Sequence, residues 1–497
     1  MVTPDRPQRA LPLVDAVTSA PGFVFRNATV VSVDLGIGTR ENTDVLVVGD
    51  SIADVGTSLN VPEGTVEIDS RGGIVMPGMI DTHRHMWQSL MRGFGADWTL
   101  TNYFYFYYLE WGHAFRPEEI YAGNLLAGLD SLDAGVTTTL DWSHGLRTTD
   151  HAEAAVDALE RLDGRYVFAY GNLAEGPWEW STRPEFKDFV RRRLDGRGDM
   201  LRWQMAFDVP GDPAFPEGPA FAVARDLDTR VTTHSGVWGV TSDQSIQLIA
   251  EHGYLTDRVT HVHVSSLTED SYQRIAASGA HASVATESEC SAGQGFSPTA
   301  RLRKYGIPIS LSIDTSSWWS GDMFSAMRAT LNLDRMREHV EAHREARTVM
   351  NLALRADQVL YYATMGGATA LGLDGIVGSV TVGKKADLVL VLNDDSPTMF
   401  PILYPEGHLV YQAGRGDVHT VLVNGRAVKY NHRLLATDRL EEARRLSAAS
   451  IEHVRGVLGE EAWDAKMHPE QPEEDRLANP YQYSDFGGAG VEAREET

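Results

Sequence analysis

Residues 77–85 read Pro77-Gly78-Met79-Ile80-Asp81-Thr82-His83-Arg84-His85, an apolar run that ends in two histidines one residue apart. Alternate side chains of a strand share a face, so His83 and His85 point the same way, about 7 Å apart. Two neutral imidazoles so placed can share one metal ion. A His-x-His pair also occurs by chance on surface loops, and its surroundings are what distinguish this one. Ile74-Val75-Met76 reads as buried strand, Pro77-Gly78 interrupts it, and Met79-Ile80 leads straight into polar groups, as if apolar backbone delivered them to one end of a sheet.

The rest of the chain supplies that sheet. Seven further strand signals follow: Thr137–Asp141, Arg165–Tyr170, Leu201–Phe207, Arg230–His234, Val259–His263, Ala282–Ala285 and Ile307–Asp314. Helical intervals fit between them, at Pro117–Ala134, His151–Leu162, Ser242–Glu251, Glu269–Ala277 and Met323–Leu333. Eight strands alternating with helices predict an α/β protein with a (β/α)8 TIM barrel. The rival, a doubly wound open sheet, lacks its glycine-rich phosphate turn. Short strand signals between Phe23 and Val55 return at Ala386–Leu392 and Val418–Arg426, which predicts a composite β-sandwich built from N- and C-terminal segments. The expected division is residues 1–76 and 378–436 for the sandwich, 77–377 for the barrel, and 437–497 for a C-terminal helix from about Arg439 to Leu458 with a Pro-, Glu- and Gly-rich tail.

Catalytic groups of such barrels sit at the carboxyl ends of strands. Four strands end in His83 and His85, His234, His263, and Asp314. Any three imidazoles with the carboxylate would hold a divalent ion, leaving one imidazole beside it for water or substrate. The donor set suits Zn²⁺, with Fe²⁺ or Mn²⁺ as other first-row choices.

Composition narrows the partners. A formal charge of -25 argues against nucleic acid and anionic membrane surfaces, which clustered Lys and Arg normally meet. The lone Cys290 excludes an intrachain disulfide framework and a Cys-rich zinc site, and fits a reducing cytoplasm. No apolar stretch approaches the roughly 20 residues of a membrane span, and no secretory pattern opens the chain. A small-molecule substrate is expected; a homo-oligomer is left open.

With these residues in view, the chain resembles the amidohydrolase superfamily, in its branch of cytosine deaminase-like, guanine deaminase-like and triazine hydrolase-like enzymes. The matching pieces are residues 77–85, Met91-Arg92-Gly93, Gly135-Val136-Thr137-Thr138, the strand ends above and Val382-Gly383-Lys384-Lys385-Ala386-Asp387-Leu388. The resemblance implies His83, His85, His234 and Asp314 as ligands of a single divalent metal, because no Lys ends the fourth strand near Phe207-Asp208. It implies attack of metal-bound hydroxide on an electron-poor carbon of a heterocycle, with Asp314 taking the proton and His263 stabilising the developing charge. Deamination is the leading reaction; expulsion of a halide or alkylamine is the alternative, and a metal-binding protein without catalysis is a third reading.

Two departures stand out. Deaminating relatives carry a proton-shuttling Glu three residues after the fifth-strand His, where this chain has Val237. After the seventh strand, Thr286-Glu287-Ser288 replaces the usual His-Cys-Pro, and Glu287 or Glu289 could substitute for the lost acid. Trp87, Gln88, His144 and Trp318 are candidate substrate contacts, with Trp319 beside Trp318 in an apolar wall. His261 is expected in the core and Asp322 at a helix cap.

Overall fold

The computed structural model describes residues 11–237 and 240–470. Residues 1–10 and nearly all of the predicted tail lie outside them. Eight parallel strands form the barrel: β1 (Met79–Arg84), β2 (Val136–Ser143), β3 (Arg165–Tyr170), β4 (Leu201–Ala206), β5 (Val231–Ser235), β6 (Val259–His263), β7 (His281–Val284) and β8 (Ile309–Leu311). β1, β2 and β3 are buried at every position, as strands covered on both faces are, even though β1 and β2 carry polar residues such as Asp81, Thr82, Thr138 and Asp141. Closure between β8 and β1 uses side chains as well as backbone. Asp81 accepts the Ile313 amide (3.1 Å), Thr82 donates to the Leu311 carbonyl (3.0 Å), and Arg84 bridges Asp314 in parallel register.

The expected helices are present, and one is longer. The helix predicted to stop at Leu333 runs Met323–Arg344. Its apolar stripe ends near Leu331, but the charged residues beyond are good helix formers, so the end of the buried face was not the end of the helix. A segment with no predicted element, between β1 and β2, forms the helical turns Leu100–Phe104 and Tyr105–Glu110, the second of them π-helical.

The second sheet is built from both ends of the chain, as expected. Strand Ile74–Pro77 pairs parallel with Gly22–Val31 on one side and antiparallel with Leu388–Val391 on the other, joining nine strands. The sheet curls over Phe23, Phe25, Val45, Leu388 and Leu390, and Ser51 at its far strand bridges back to Lys385. The chain passes from this sheet into the barrel at Gly78, where a Cβ would stand 2.0 Å from Thr137 Oγ1. Only glycine fits that crossing.

Arg84, the residue between the two histidines, points the other way and is fully buried. Its guanidinium donates to Asp130 (2.8 Å), Ser131 (2.8 Å) and Ser316 (3.0 Å). Asp130 also takes Arg415, which leads into the sheet strand Val418–Val423 (2.5 Å). Burial alone would raise the Asp130 carboxyl, but Arg84, Arg92 and Arg415 outweigh it and hold it at about 2. The C-terminal helices Thr437–Leu458 and Glu460–Met467 close over the barrel flank; Trp463 meets Phe94 (ring centroids 4.6 Å), and Trp98 donates to the Lys466 carbonyl (2.6 Å).

Candidate active site

At the carboxyl end of the barrel the strand-end residues converge. His83 Nε2 and His85 Nε2 lie 3.2 and 3.3 Å from the same oxygen, Asp314 Oδ1. Ligand atoms of His83, His85 and His234 all fall within 4.8 Å of one another, as do those of His83, His263 and Asp314. A tetrahedral ion with bonds of about 2.0–2.1 Å has ligand–ligand edges of about 3.3 Å, so the His83, His85 and Asp314 spacing fits a divalent ion. In His85 and His234 the other ring nitrogen is committed in the manner of a metal ligand, whereas His83 Nδ1 is buried without a partner among the described residues. His85 Nδ1 donates to the Trp142 carbonyl (3.0 Å) and His234 Nδ1 to Asp208 Oδ1 (2.8 Å), leaving each Nε2 lone pair for the centre.

The electrostatics agree. Burial, with neighbouring imidazoles adding to it, holds His83 far below the usual histidine range. Burial pushes His85 down to about 4 against the pull of Asp314, and it lowers His263 strongly. These rings stay neutral and able to coordinate. His234 is the exception: burial lowers it, but Asp208 outweighs burial and raises it. Asp208 is itself held low, because His234 outweighs the upward push of burial. Backbone strain gathers here too, with His263, Val264 and Asp314 at φ of 73°, 48° and 67°, a region that non-glycine residues rarely occupy.

Above this floor lies a cavity of ≈ 220 Å³. Its walls are Tyr103, Phe104 and Tyr108 from the helical turns after β1, Val209 and Pro210 after β4, and Trp318 and Trp319 after β8. Val237 lines it as well, so an apolar side chain occupies the place of the expected carboxylate.

The other sequence candidates fall behind these surfaces. Trp87 is buried among Tyr107, Phe115 and His144, off the cavity wall. Gln88 donates to the Tyr103 hydroxyl (2.8 Å) and reaches the cavity only through it. His144 packs 4.0 Å from the His85 ring and shares the Trp142 carbonyl with it (3.1 Å). Glu287 accepts a hydrogen bond from Ser320 (2.7 Å), away from the cavity. Glu289 lies fully buried 3.6 Å from His263 Nδ1 and accepts the Ala285 amide (2.8 Å), and burial pushes its carboxyl well up. His261 is in the core, paired with Ser235 (2.9 Å), and Asp322 caps the Phe324 amide (2.9 Å).

Sequence reasoning missed Asp208, Tyr103, Tyr108 and Gln294. Asp208 had a usable signal, since a polar residue directly follows the fourth strand. The tyrosines sit in the run Tyr103-Phe104-Tyr105-Phe106-Tyr107-Tyr108, where aromatic character alone does not separate wall from core.

The family model described as "Amidohydrolase family" matches residues 74–428. The chain belongs to the amidohydrolase family. The protein is 29% identical to a 5-methylthioadenosine/S-adenosylhomocysteine deaminase of Desulforudis audaxviator, over 87% of this chain and all of that one. It is 24% identical to a 5'-deoxyadenosine deaminase of Methanosarcina mazei, over 87% of this chain and 99% of that one. Among solved structures, a zinc complex of atrazine chlorohydrolase from Arthrobacter aurescens superposes with a TM-score of 0.74 at 21% identity, covering 86% of this amidohydrolase and all of that chain. A zinc-bound adenosine deaminase from Xanthomonas campestris gives 0.72 at 22%, covering 86% of this chain and 98% of that one. With a His/Asp centre that fits a divalent ion, this amidohydrolase is a metal-dependent hydrolase of non-peptide carbon–nitrogen bonds in a small molecule. Among the described residues no helix is long and apolar enough to cross a membrane.

Proposed function

We propose that this amidohydrolase is a zinc-dependent aminohydrolase, removing an amino group from a small planar heterocycle. One observation carries the reading: four imidazoles and a carboxylate form the floor of a cavity whose walls are aromatic and apolar. His83, His85, His234 and Asp314 would hold the ion, in the barrel unit of residues 77–377. Zinc is preferred because nitrogen and carboxylate donors at tetrahedral spacing suit it; Fe²⁺ or Mn²⁺ would accept the same donors. When bound, the ion supplies Lewis acidity that brings the pKa of water down towards about 7.

The chain's own groups do the rest. Asp314 takes the proton of the attacking water and passes it to the departing nitrogen. The Ser288 hydroxyl donates to Asp314 Oδ2 (2.5 Å) and fixes its plane. His263 reaches the same centre and stabilises the oxygen built at the reacting carbon. Trp318 and Phe104 flank the heterocycle. The single cysteine accords with a cytoplasmic setting.

Val237 supports a second reading. With no carboxylate there to protonate a leaving group, the site suits one that departs as an anion, such as halide. The test is zinc content together with release of ammonia or chloride over aminopurines, aminopyrimidines, aminotriazines and their chloro counterparts. The expected result is about one zinc per chain and ammonia release that Asp314→Asn abolishes. Turnover of chloro substrates alone favours the second reading. A zinc-loaded protein inert to the whole panel defeats both.

A further inference from the structure

Attack on a C=N carbon drives an electron pair onto the adjacent ring nitrogen, and something must meet that charge. Position 237 holds valine, so the donor comes from another wall. Tyr108 lines the cavity together with His85, Asp208 and Asp314, and its ring stands 5.4 Å from that of His144.

Behind Tyr108 stands Tyr103, held in turn by Gln88. Gln88 Nε2 donates to the Tyr103 hydroxyl (2.8 Å), so the Tyr103 proton is free to point onwards, and the Tyr108 ring is its neighbour on that wall. The two rings are 5.9 Å apart. Gln88 and Tyr103 are buried, which shields their hydrogen bond from competing water. The backbone explains how two residues five apart share one wall. In an α-helix they would diverge, but the Tyr105–Glu110 turn is π-helical, with the Trp111 amide bonded to the Phe106 carbonyl (2.9 Å), and its wider turn brings residue 108 back over residue 103.

We propose that the Tyr108 hydroxyl is the hydrogen-bond donor to the ring nitrogen beside the reacting carbon, and that Gln88 and Tyr103 are positioning residues that polarise it. The assignment rests on the heterocycle-hydrolase reading above. Water oxygen forms the new C–O bond while the C=N electron pair moves to the ring nitrogen and is met by the Tyr108 O–H. The proton of the water goes to Asp314. It then joins the leaving group as the old bond breaks and the pair returns to the ring. Tyr108 lends a hydrogen bond and loses no proton.

The experiment uses the zinc-loaded full chain and the most active substrate of the panel. Tyr108→Phe is expected to lower kcat about 100-fold, with KM changed less than about threefold and zinc content intact. Tyr103→Phe is expected to cost about tenfold, and to cost nothing further in the Tyr108→Phe background, a non-additivity that general loosening would not produce. An analogue with CH in place of that ring nitrogen is expected to bind wild type and Tyr108→Phe equally well. An active wild type with Tyr108→Phe within threefold of it overturns this assignment alone. A wild type inert to the panel overturns the functional reading and this assignment together. If Tyr108→Phe does not fold, Tyr103→Phe decides: no loss of kcat sinks the proposal.

Discussion

The floor and the walls of the cavity are built by different means. The floor is carried by strand ends whose positions are fixed by backbone pairing: the His85 amide bonds to the Asp314 carbonyl (2.7 Å) and the Asp314 amide to the His83 carbonyl (2.9 Å). The aromatic wall is carried by short helical turns outside the sheet, with Tyr105 and Leu109 half or more exposed on their outer side. The contrast separates chemistry from selection. A sheet holds ligands to the tolerance a metal needs, and a loop-borne wall can be exchanged to change the substrate without touching the floor.

Four predictions probe this contrast. The largest effect belongs to the floor: Asp314→Asn removes the proposed ligand and proposed proton carrier together, and turnover should fall at least about 10⁴-fold, read by steady-state kinetics. The next concerns the scaffold beneath both regions. Burial, assisted by Arg230 for His281 and by His432 for His419, pushes both histidines down to about 4. The unfolded chain therefore takes up protons first, so stability is complete above about pH 6.5 and declines as pH falls towards 4, by about 3 kcal/mol for each group. Denaturant titrations at pH 7 and 4.5 measure it, and an equal midpoint would refute it. Third, Asp208→Asn keeps the shape but weakens the orientation of His234, and zinc affinity should drop about 10–100-fold in chelator competition. The smallest effect belongs to the wall: Trp318→Ala should raise KM about tenfold while zinc content and kcat stay near wild type. A Trp318→Ala protein that lost zinc would dissolve the distinction between floor and wall.

That distinction also governs what could be read from the sequence. His83, His85, His234, His263 and Asp314 were legible because polar residues that end apolar strands are conspicuous, and the barrel places strand ends together. Tyr103 and Tyr108 were not, since the π turn that gathers them leaves no periodic trace and an aromatic run suits core and cavity equally. Glu287 and Glu289 illustrate the converse. Both lie in the short helix that follows a barrel strand, yet Ser320 holds one and the Ala285 amide holds the other, partners decided by tertiary packing that spacing does not encode.

The side chain between the two histidines carries a last consequence. Because Arg84 grips Asp130, and Asp130 is gripped in turn by Arg415 from the other end of the chain, the signature His83-Arg84-His85 is stitched to a residue more than three hundred positions away. The motif is therefore not portable. A designer who transplanted the histidines into another barrel without Asp130 and Arg415 would bury an unmatched guanidinium directly behind the metal centre.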